Sequence, residues 1–293
     1  MRSIRTLALA ALAVAPLAAC VHDREQAAVA VPDPVLVEVV AGDWRGEDAK
    51  ARDRYRHPID SLTFWGLKPG MAILEIQPGS ASWWTEILAP YAKRTGGTFA
   101  ATGADLANPS LSEGARKARA AFEQRYGSNP DLYGSIEIVN WGAVSRTLPA
   151  GRYDFILTAR SIHGWMQDKP GTVEETFGEF YMALKPGGIL AVEQHRANPL
   201  PAGAEEKPST GYVSEAYVIA VAEKAGFKLA ARSEINANPK DTKDHPFGVW
   251  TLPPALRSTA YSSGQPDDPN FDHSKYLAIG ESDRMTLKFV KAK

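Results

Sequence analysis

Apolar residues in this chain come either in short unbroken runs or at every third or fourth position, and the two patterns alternate. The runs at 72–76 (AILEI), 153–159 (YDFILTA) and 189–193 (ILAVE) are apolar on successive residues, as strands covered on both faces are. "GGTFAATGAD" and "SIEIVNWG" predict strands two and three, "FKLAARSEI" a sixth and "RMTLKFVK" a seventh. Between them the period changes. After the first strand Trp84, Ile87, Leu88 and Tyr91 share one helical face, with Pro90 expected to kink or end that helix. "LSEGARKARAAFEQRYG" puts Ala118, Phe122 and Tyr126 on one stripe. A helix at 172–184 aligns Val173, Phe177, Phe180, Tyr181 and Leu184, and one at 213–225 stops at Gly226, a natural residue just past a helix end.

Alternation of strand and helix predicts an α/β fold: a seven-stranded, mostly parallel sheet with helices on both faces. No helix is evident between the last two strands, so the seventh is expected to run antiparallel. A Pro- and Asp-rich excursion occupies about 236–282, before it. Ahead of the first strand, 42–66 reads as charged helical turns and a short helix after Pro58. "LKPGM" then turns the chain into the sheet.

The first twenty residues read differently. "MRSIRTLALAALAVAPLAAC" carries Arg2 and Arg5, an apolar stretch too short to span a bilayer, and small residues before Cys20. That is a secretory signal. Leu17-Ala18-Ala19-Cys20 resembles the lipobox of bacterial lipoproteins, which implies lipidation of Cys20, an exported protein and membrane contact through the lipid alone. The alternative is an ordinary cleaved signal with an incidental cysteine. Residues 21–34 read as a flexible tether and 35–293 as one domain. Cys20 is the sole cysteine, so the rest of the chain has no disulfide, thiolate metal site or thiol nucleophile. Net charge is −1 with no basic block, which argues against a nucleic-acid partner.

The seven strands, the turn "PGSAS" after the first and "LKPGG" before the fifth resemble class I S-adenosylmethionine-dependent methyltransferases. More narrowly, "RDRYRHP", "LKPGM", "ILEI", "TEILAPY" and "NPKDTKDHP" are similar to a group of exported bacterial proteins described as predicted methyltransferases. The resemblance implies a Rossmann-like fold with S-adenosylmethionine as cofactor and a small-molecule substrate. In that superfamily an acid at the end of the first strand precedes a loop with glycines at alternate positions. Here Glu75 is the acid and Gly79 the retained glycine, while Gln77, Ser80, Ala81 and Ser82 stand where more glycine is usual. Small residues and a helix N-terminus still suit the methionine carboxylate. Trp83 and Trp84 either line that pocket or pack in the core.

The resemblance further implies Asp105 for the ribose hydroxyls, two residues later than usual, and Asn140 for the adenine, with Trp141 either stacked on the ring or buried. Ligands of open α/β sheets bind at the carboxyl ends of strands. Arg160, Ser161, His163 and Trp165 of "TARSIHGW" therefore face the site, Arg160 joining the cofactor-binding candidates. A neutral imidazole accepts a proton near pH 7, so His163 and, after the fifth strand, His195 are the catalytic candidates. Either could instead only hold a loop. Tyr55 and His57 are candidates for a lid or for structural contacts, and His245 is expected to overhang the substrate side. The spacing of His163, Glu193, His195 and His245 matches no metal motif. Asp154, at the far end of its strand, reads as structural. The competing class is a non-catalytic envelope protein that retains the fold and binds another ligand or a partner. A dinucleotide-dependent dehydrogenase is disfavoured because "PGSAS" lacks G-x-G-x-x-G.

Overall fold

Alternate residues of the central strands enter two different cores. The computed structural model describes residues 31–293 except 202; the expected signal segment with Cys20, and 21–30 of the expected tether, lie outside the described residues. The seven strands are β1 (Ala72–Ile76), β2 (Thr98–Gly103), β3 (Glu137–Asn140), β4 (Tyr153–Ala159), β5 (Leu184–His195), β6 (Phe227–Ser233) and β7 (Arg284–Lys291). They form one sheet in the order β3-β2-β1-β4-β5-β7-β6. Ile73, Phe155, Leu157 and Ala191 point into one core; Leu74, Ile156, Leu190 and Val192 point into the other. Both sets are buried, which is why these strands read as continuous apolar runs. The pairs β1–β2, β2–β3, β1–β4 and β4–β5 are parallel, and β7 runs antiparallel between β5 and β6.

The helices are α1 (Pro34–Val40), α2 (Glu47–Ala51), α3 (Asp53–Arg56), α4 (Pro58–Trp65), α5 (Thr85–Arg94), α6 (Glu113–Gly127), α7 (Pro130–Tyr133), α8 (Ile162–Trp165), α9 (Thr172–Ala183), α10 (Glu215–Lys224) and α11 (Ser274–Ile279). Helix α1 was not expected from its β-branched sequence. Its start explains it: Asp33 Oδ1 accepts from the Val35 N–H at 2.7 Å, Pro34 occupies the first turn, and Leu36, Val39 and Val40 are buried. Tertiary packing then overrides a weak helix propensity.

Pro90 does not end α5, which continues to Arg94. The proline removes the N–H that would bond the Glu86 carbonyl, and Trp44 Nε1 donates to that carbonyl at 2.9 Å instead. The fifth strand is longer at both ends than 189–193. Tyr153 pairs with Leu184 and Phe155 with Ile189, so 185–188 bulge out of the ladder rather than turn before it. The 172–184 helix accordingly stops at Ala183. Between β6 and β7 the excursion holds two short 3-10 turns, Gly248–Thr251 and Tyr261–Ser263, and α11.

Neighbouring strands β1 and β4 lead to opposite halves of the sheet. Their carboxyl ends therefore diverge into a crevice, the place where such sheets bind ligands.

Candidate functional site

Two cavities open at that crevice, one on each side of the loop after β1. The first, of about 540 Å³, lies between the loop, the end of β2 and helix α6. The second, of about 1030 Å³, lies over the ends of β4 and β5 beneath the excursion. Gln77, Pro78, Gly79 and Ser80 belong to the walls of both.

The loop is built without the expected glycines. Gln77 and Ser82 take left-handed backbone conformations (φ 48° and 47°), as does Gly79 (φ 71°). Such values cost a residue with a side chain, so other contacts hold them. The Gln77 N–H donates to Thr102 Oγ1 at 2.8 Å, its side-chain oxygen accepts from Trp165 Nε1 at 3.1 Å, and Ser82 Oγ donates to the Gly79 carbonyl at 3.2 Å. Gly79 has no heavy atom within 4 Å of where a Cβ would lie, which leaves its backbone open to a ligand.

Trp83 and Trp84 both belong to the core. They meet edge to face at 4.7 Å, Trp83 donates to the Ala49 carbonyl, and Trp84 donates to Glu193 Oε2. The guanidinium groups of Arg45 and Arg56 each lie over the Trp83 ring, 5.2 and 4.7 Å from its centre.

Glu75 faces neither cavity; it is buried, and Thr85 Oγ1 donates to it at 2.6 Å, tying β1 to α5. Burial pushes its carboxyl up to about 8, against smaller downward effects from Thr85 and Arg160. The fold therefore keeps a proton that the unfolded chain has already released. Stability should fall by about 1–2 kcal/mol between about pH 6.5 and about pH 8, and Glu75→Gln should flatten that slope. Urea unfolding at the two pH values measures it; equal slopes in both proteins would refute the assignment. The window lies above the range in which the depressed histidines described below act in the opposite sense.

Asp105 is a clasp. Its carboxylate accepts from the N–H groups of Ala107, Val144 and Ser145 and from Ser145 Oγ, all at 2.6–3.1 Å. Burial raises its carboxyl and those donors lower it further, leaving it below the usual range. It binds loop to loop and is absent from the cavity walls. Asn140 Oδ1 accepts from Arg119 Nη1 at 3.0 Å, and Trp141 is buried, its indole donating to Glu179. Trp141 closes one end of the first cavity; Asn140 and Ala81 line neither.

Helix α6 explains the first cavity. Of its apolar stripe, Tyr126 is buried and Phe122 packs partly against the core, while Ala118 is exposed; Ala115, Ala118 and one side of Phe122 line the cavity. Gly103 makes room for the Arg119 side chain, because a Cβ there would meet Arg119 Nη1 at 2.5 Å.

Arg160, Ser161, His163, His195 and His245 all line the second cavity. The rings of His163 and His195 are 5.7 Å apart. Gln194 Nε2 donates to the Gly211 carbonyl at 2.9 Å, which fixes the amide, and the same nitrogen lies 3.2 Å from His163 Nδ1. His163 Nδ1 is thus an acceptor and its proton sits on Nε2. His195 Nδ1 is 2.5 Å from Ser282 Oγ. Burial lowers His163 to about 4 and His195 well below its usual range, with neighbouring positive charge adding to the effect on both, so both rings are neutral near pH 7.

His245 pairs with Asp241 at 2.8 Å, and Asp241 also accepts from Tyr212 and from the Asp283 N–H. Trp250 and Tyr261 stack at 4.9 Å over the same cavity. Neither Tyr55 nor His57 lines either of these two cavities. "RDRYRHP" is anchored to the start of β7: Arg52 and Arg56 bind Glu281, and His57 meets Asn236. Asp154 accepts from the Ala72 N–H and Lys185 at the amino-terminal ends of the central strands, away from both cavities. Among the described residues no cluster of three or more metal-ligating side chains occurs. Glu193 instead faces Arg284 at 3.0 Å.

Gln194, Ser282, Trp250 and Tyr261 escaped sequence reasoning. One signal was present: "EQH" ends an otherwise apolar strand, and buried polar side chains in succession need partners.

No family model and no curated protein matches the chain. Solved structures do resemble it. The cyclase SpnF overlays with a TM-score of 0.50 at 16% identity, over 88% of this chain and 92% of that one. An S-adenosylmethionine-dependent methyltransferase from Methanosarcina mazei gives 0.47 at 16% identity, over 79% and 97%. One from Aquifex aeolicus gives 0.46 at 19%, over 69% and 93%. At such identities the likeness is one of fold. Strand order, the antiparallel β7 and the overlay with SpnF agree on it: the chain has the seven-stranded, Rossmann-like methyltransferase fold.

Proposed function

We propose that the protein transfers a methyl group from S-adenosylmethionine, held in the first cavity, to a small molecule held in the second. The observation that carries this reading is the single loop, Gln77 to Ser80, that walls both cavities at the β1–β4 crevice. A donor on one side of that loop and an acceptor on the other are within reach of each other.

The first cavity suits the cofactor in size, since small-molecule sites span about 300–1,000 Å³. The open backbone at Gly79 and Ser80 would receive the amino-acid end, and Ala104, Phe122 and Trp141 would frame the adenine. No carboxylate lines this cavity, so the ribose would be held by neutral side chains such as Thr102 and Gln77. Bound S-adenosylmethionine supplies an electrophilic methyl group. The chain supplies position: the walls align the acceptor, His163 presents Nε2–H, and the unprotonated ring nitrogen of His195 takes any proton released. An imidazole held so far below its usual range is a weak base, which leaves positioning as the larger contribution. The named activity of SpnF, a cyclase, is a reminder that this fold does not select one reaction.

The matching of residues 1–20 to a lipoprotein signal adds a second element to the reading: an exported protein held to a membrane by lipid at Cys20. Titration calorimetry of the chain lacking residues 1–20 tests the first element. Micromolar binding of S-adenosylhomocysteine is expected. No binding at millimolar ligand by the folded protein would leave a fold kept for another purpose.

A further inference from the structure

The cavity beneath the excursion contains a guanidinium group with no partner. Arg160 makes no side-chain hydrogen bond and no ion pair among the described residues, and its Nε is buried without a partner. Its backbone is held in a left-handed conformation (φ 60°) by the bond from its N–H to the Glu193 carbonyl at 2.8 Å. A residue with a side chain takes that conformation at a cost, and such costs gather at binding sites.

The acids nearby are otherwise engaged. Glu193 faces Arg284 and accepts from Trp84, and Glu281 is held by Arg52, Arg56 and Arg284. Glu75 is kept protonated by burial up to about pH 8. Four guanidinium groups, Arg52, Arg56, Arg160 and Arg284, thus share two ionised carboxylates. Arg160 is the member of that set at the cavity wall. An unpaired charge in a half-buried place is unfavourable until an anion joins it.

The other walls narrow the chemistry. His163, whose proton is on Nε2, adds a second donor beside Arg160, and the neutral rings of His163 and His195 put no competing anion in the space. Trp250, Tyr261 and Phe247 form an aromatic side, Trp250 meeting His163 edge-on at 5.7 Å. We infer that the acceptor bound in the second cavity is an aromatic carboxylate, its acid group held by Arg160 and His163 and its ring lying against Trp250. This rests on the reading of the second cavity as the acceptor site. The planar guanidinium matches a carboxylate with two parallel bonds, which lysine does not reproduce.

The cofactor also carries a carboxylate, so the experiment must separate two sources of one chemistry. Naphthalene carboxylate, its uncharged carboxamide and S-adenosylhomocysteine are titrated against the unaltered protein, Arg160→Gln and Arg160→Lys. The acid should bind the unaltered protein about ten-fold or more tightly than the amide. Arg160→Gln should abolish that preference, Arg160→Lys should keep part of it, and S-adenosylhomocysteine affinity should stay within about two-fold. Arg160→Gln should also melt close to the parent, since it breaks no side-chain hydrogen bond or close ion pair and only weakens the longer-range attraction to Glu193.

Equal binding of acid and amide, no acid binding at millimolar concentration, or a preference that survives Arg160→Gln would overturn the inference. So would an Arg160→Gln protein that loses S-adenosylhomocysteine, which would give the guanidinium to the cofactor, or one that melts well below the parent. A protein that never binds S-adenosylhomocysteine yet prefers the acid through Arg160 would end the methyltransferase reading and leave the second cavity as a carboxylate site that accepts no methyl group.

Discussion

Arg284→Met should cost about 3–5 kcal/mol of stability, the usual result of deleting one member of a buried ion pair. Arg284 is 1% exposed and serves two carboxylates, Glu193 at the end of β5 and Glu281 ahead of β7. Glu193 would keep only the indole of Trp84 as a donor, and a buried carboxylate without a counter-charge is expensive. Methionine fills much of the volume, so the loss measures charge more than packing. Burial raises both carboxyls, but Arg284, Arg56 and, for each, a further arginine lower them more, leaving both depressed. A depressed carboxyl contributes stability above the ordinary carboxylate range and loses it as pH falls. The deficit of Arg284→Met should therefore be largest near neutral pH and shrink in acid. Urea unfolding followed by tryptophan fluorescence measures it. A deficit under about 1 kcal/mol would mean that the charges are solvated rather than locked together.

Ala118→Trp should abolish binding of S-adenosylhomocysteine, weakening it by about a hundred-fold or more, equivalent to about 2.7 kcal/mol. Ala118 is exposed on α6 and lines the first cavity, so an indole there occupies ligand space without disturbing a packed core. The unfolding midpoint should hardly move. Gly79→Trp would be a poorer choice, because its φ of 71° strains any side chain and confuses binding with folding. Binding of naphthalene carboxylate, on the other side of the loop, should persist in Ala118→Trp. A variant that binds S-adenosylhomocysteine like the parent would take the cofactor out of the first cavity.

The sheet was legible because strands buried on both faces leave runs such as ILEI and FIL that no other element explains as simply. The antiparallel β7 was expected because no crossover helix was evident before it; the six-residue α11 that the structure has there does not change that direction. What hid from the sequence was whatever depends on partners distant in the chain. The Arg52, Arg56, Glu193, Glu281 and Arg284 cluster joins residues up to 229 positions apart, and nothing in their local spacing announces it. Asp105 looked like a ligand because acids at that point often are; only the fold brings Val144 and Ser145 to saturate it. Helix α6 shows a further limit: Tyr126 and Phe122 of its stripe meet the core and Ala118 does not. Its apolar stripe was correctly read as a stripe, but periodicity states only that a face is apolar, not whether protein or empty space lies against it.

The placement of the histidines and of Arg160 at strand ends could be reasoned from topology alone. Their chemistry could not: Gln194 decides where the His163 proton sits, Ser282 engages His195 Nδ1, and the absence of a partner for Arg160 among the described residues is a property of its surroundings.

A wall common to two chambers makes them thermodynamic neighbours. If an occupant of one chamber shifts the Gln77–Ser80 backbone, the affinity of the other changes by some factor, and reciprocity requires the second occupant to change the first by that same factor. The strained conformations of Gln77 and Ser82 give the loop a reason to have more than one setting. The order in which ligands enter would then affect the speed of assembly but not its final free energy.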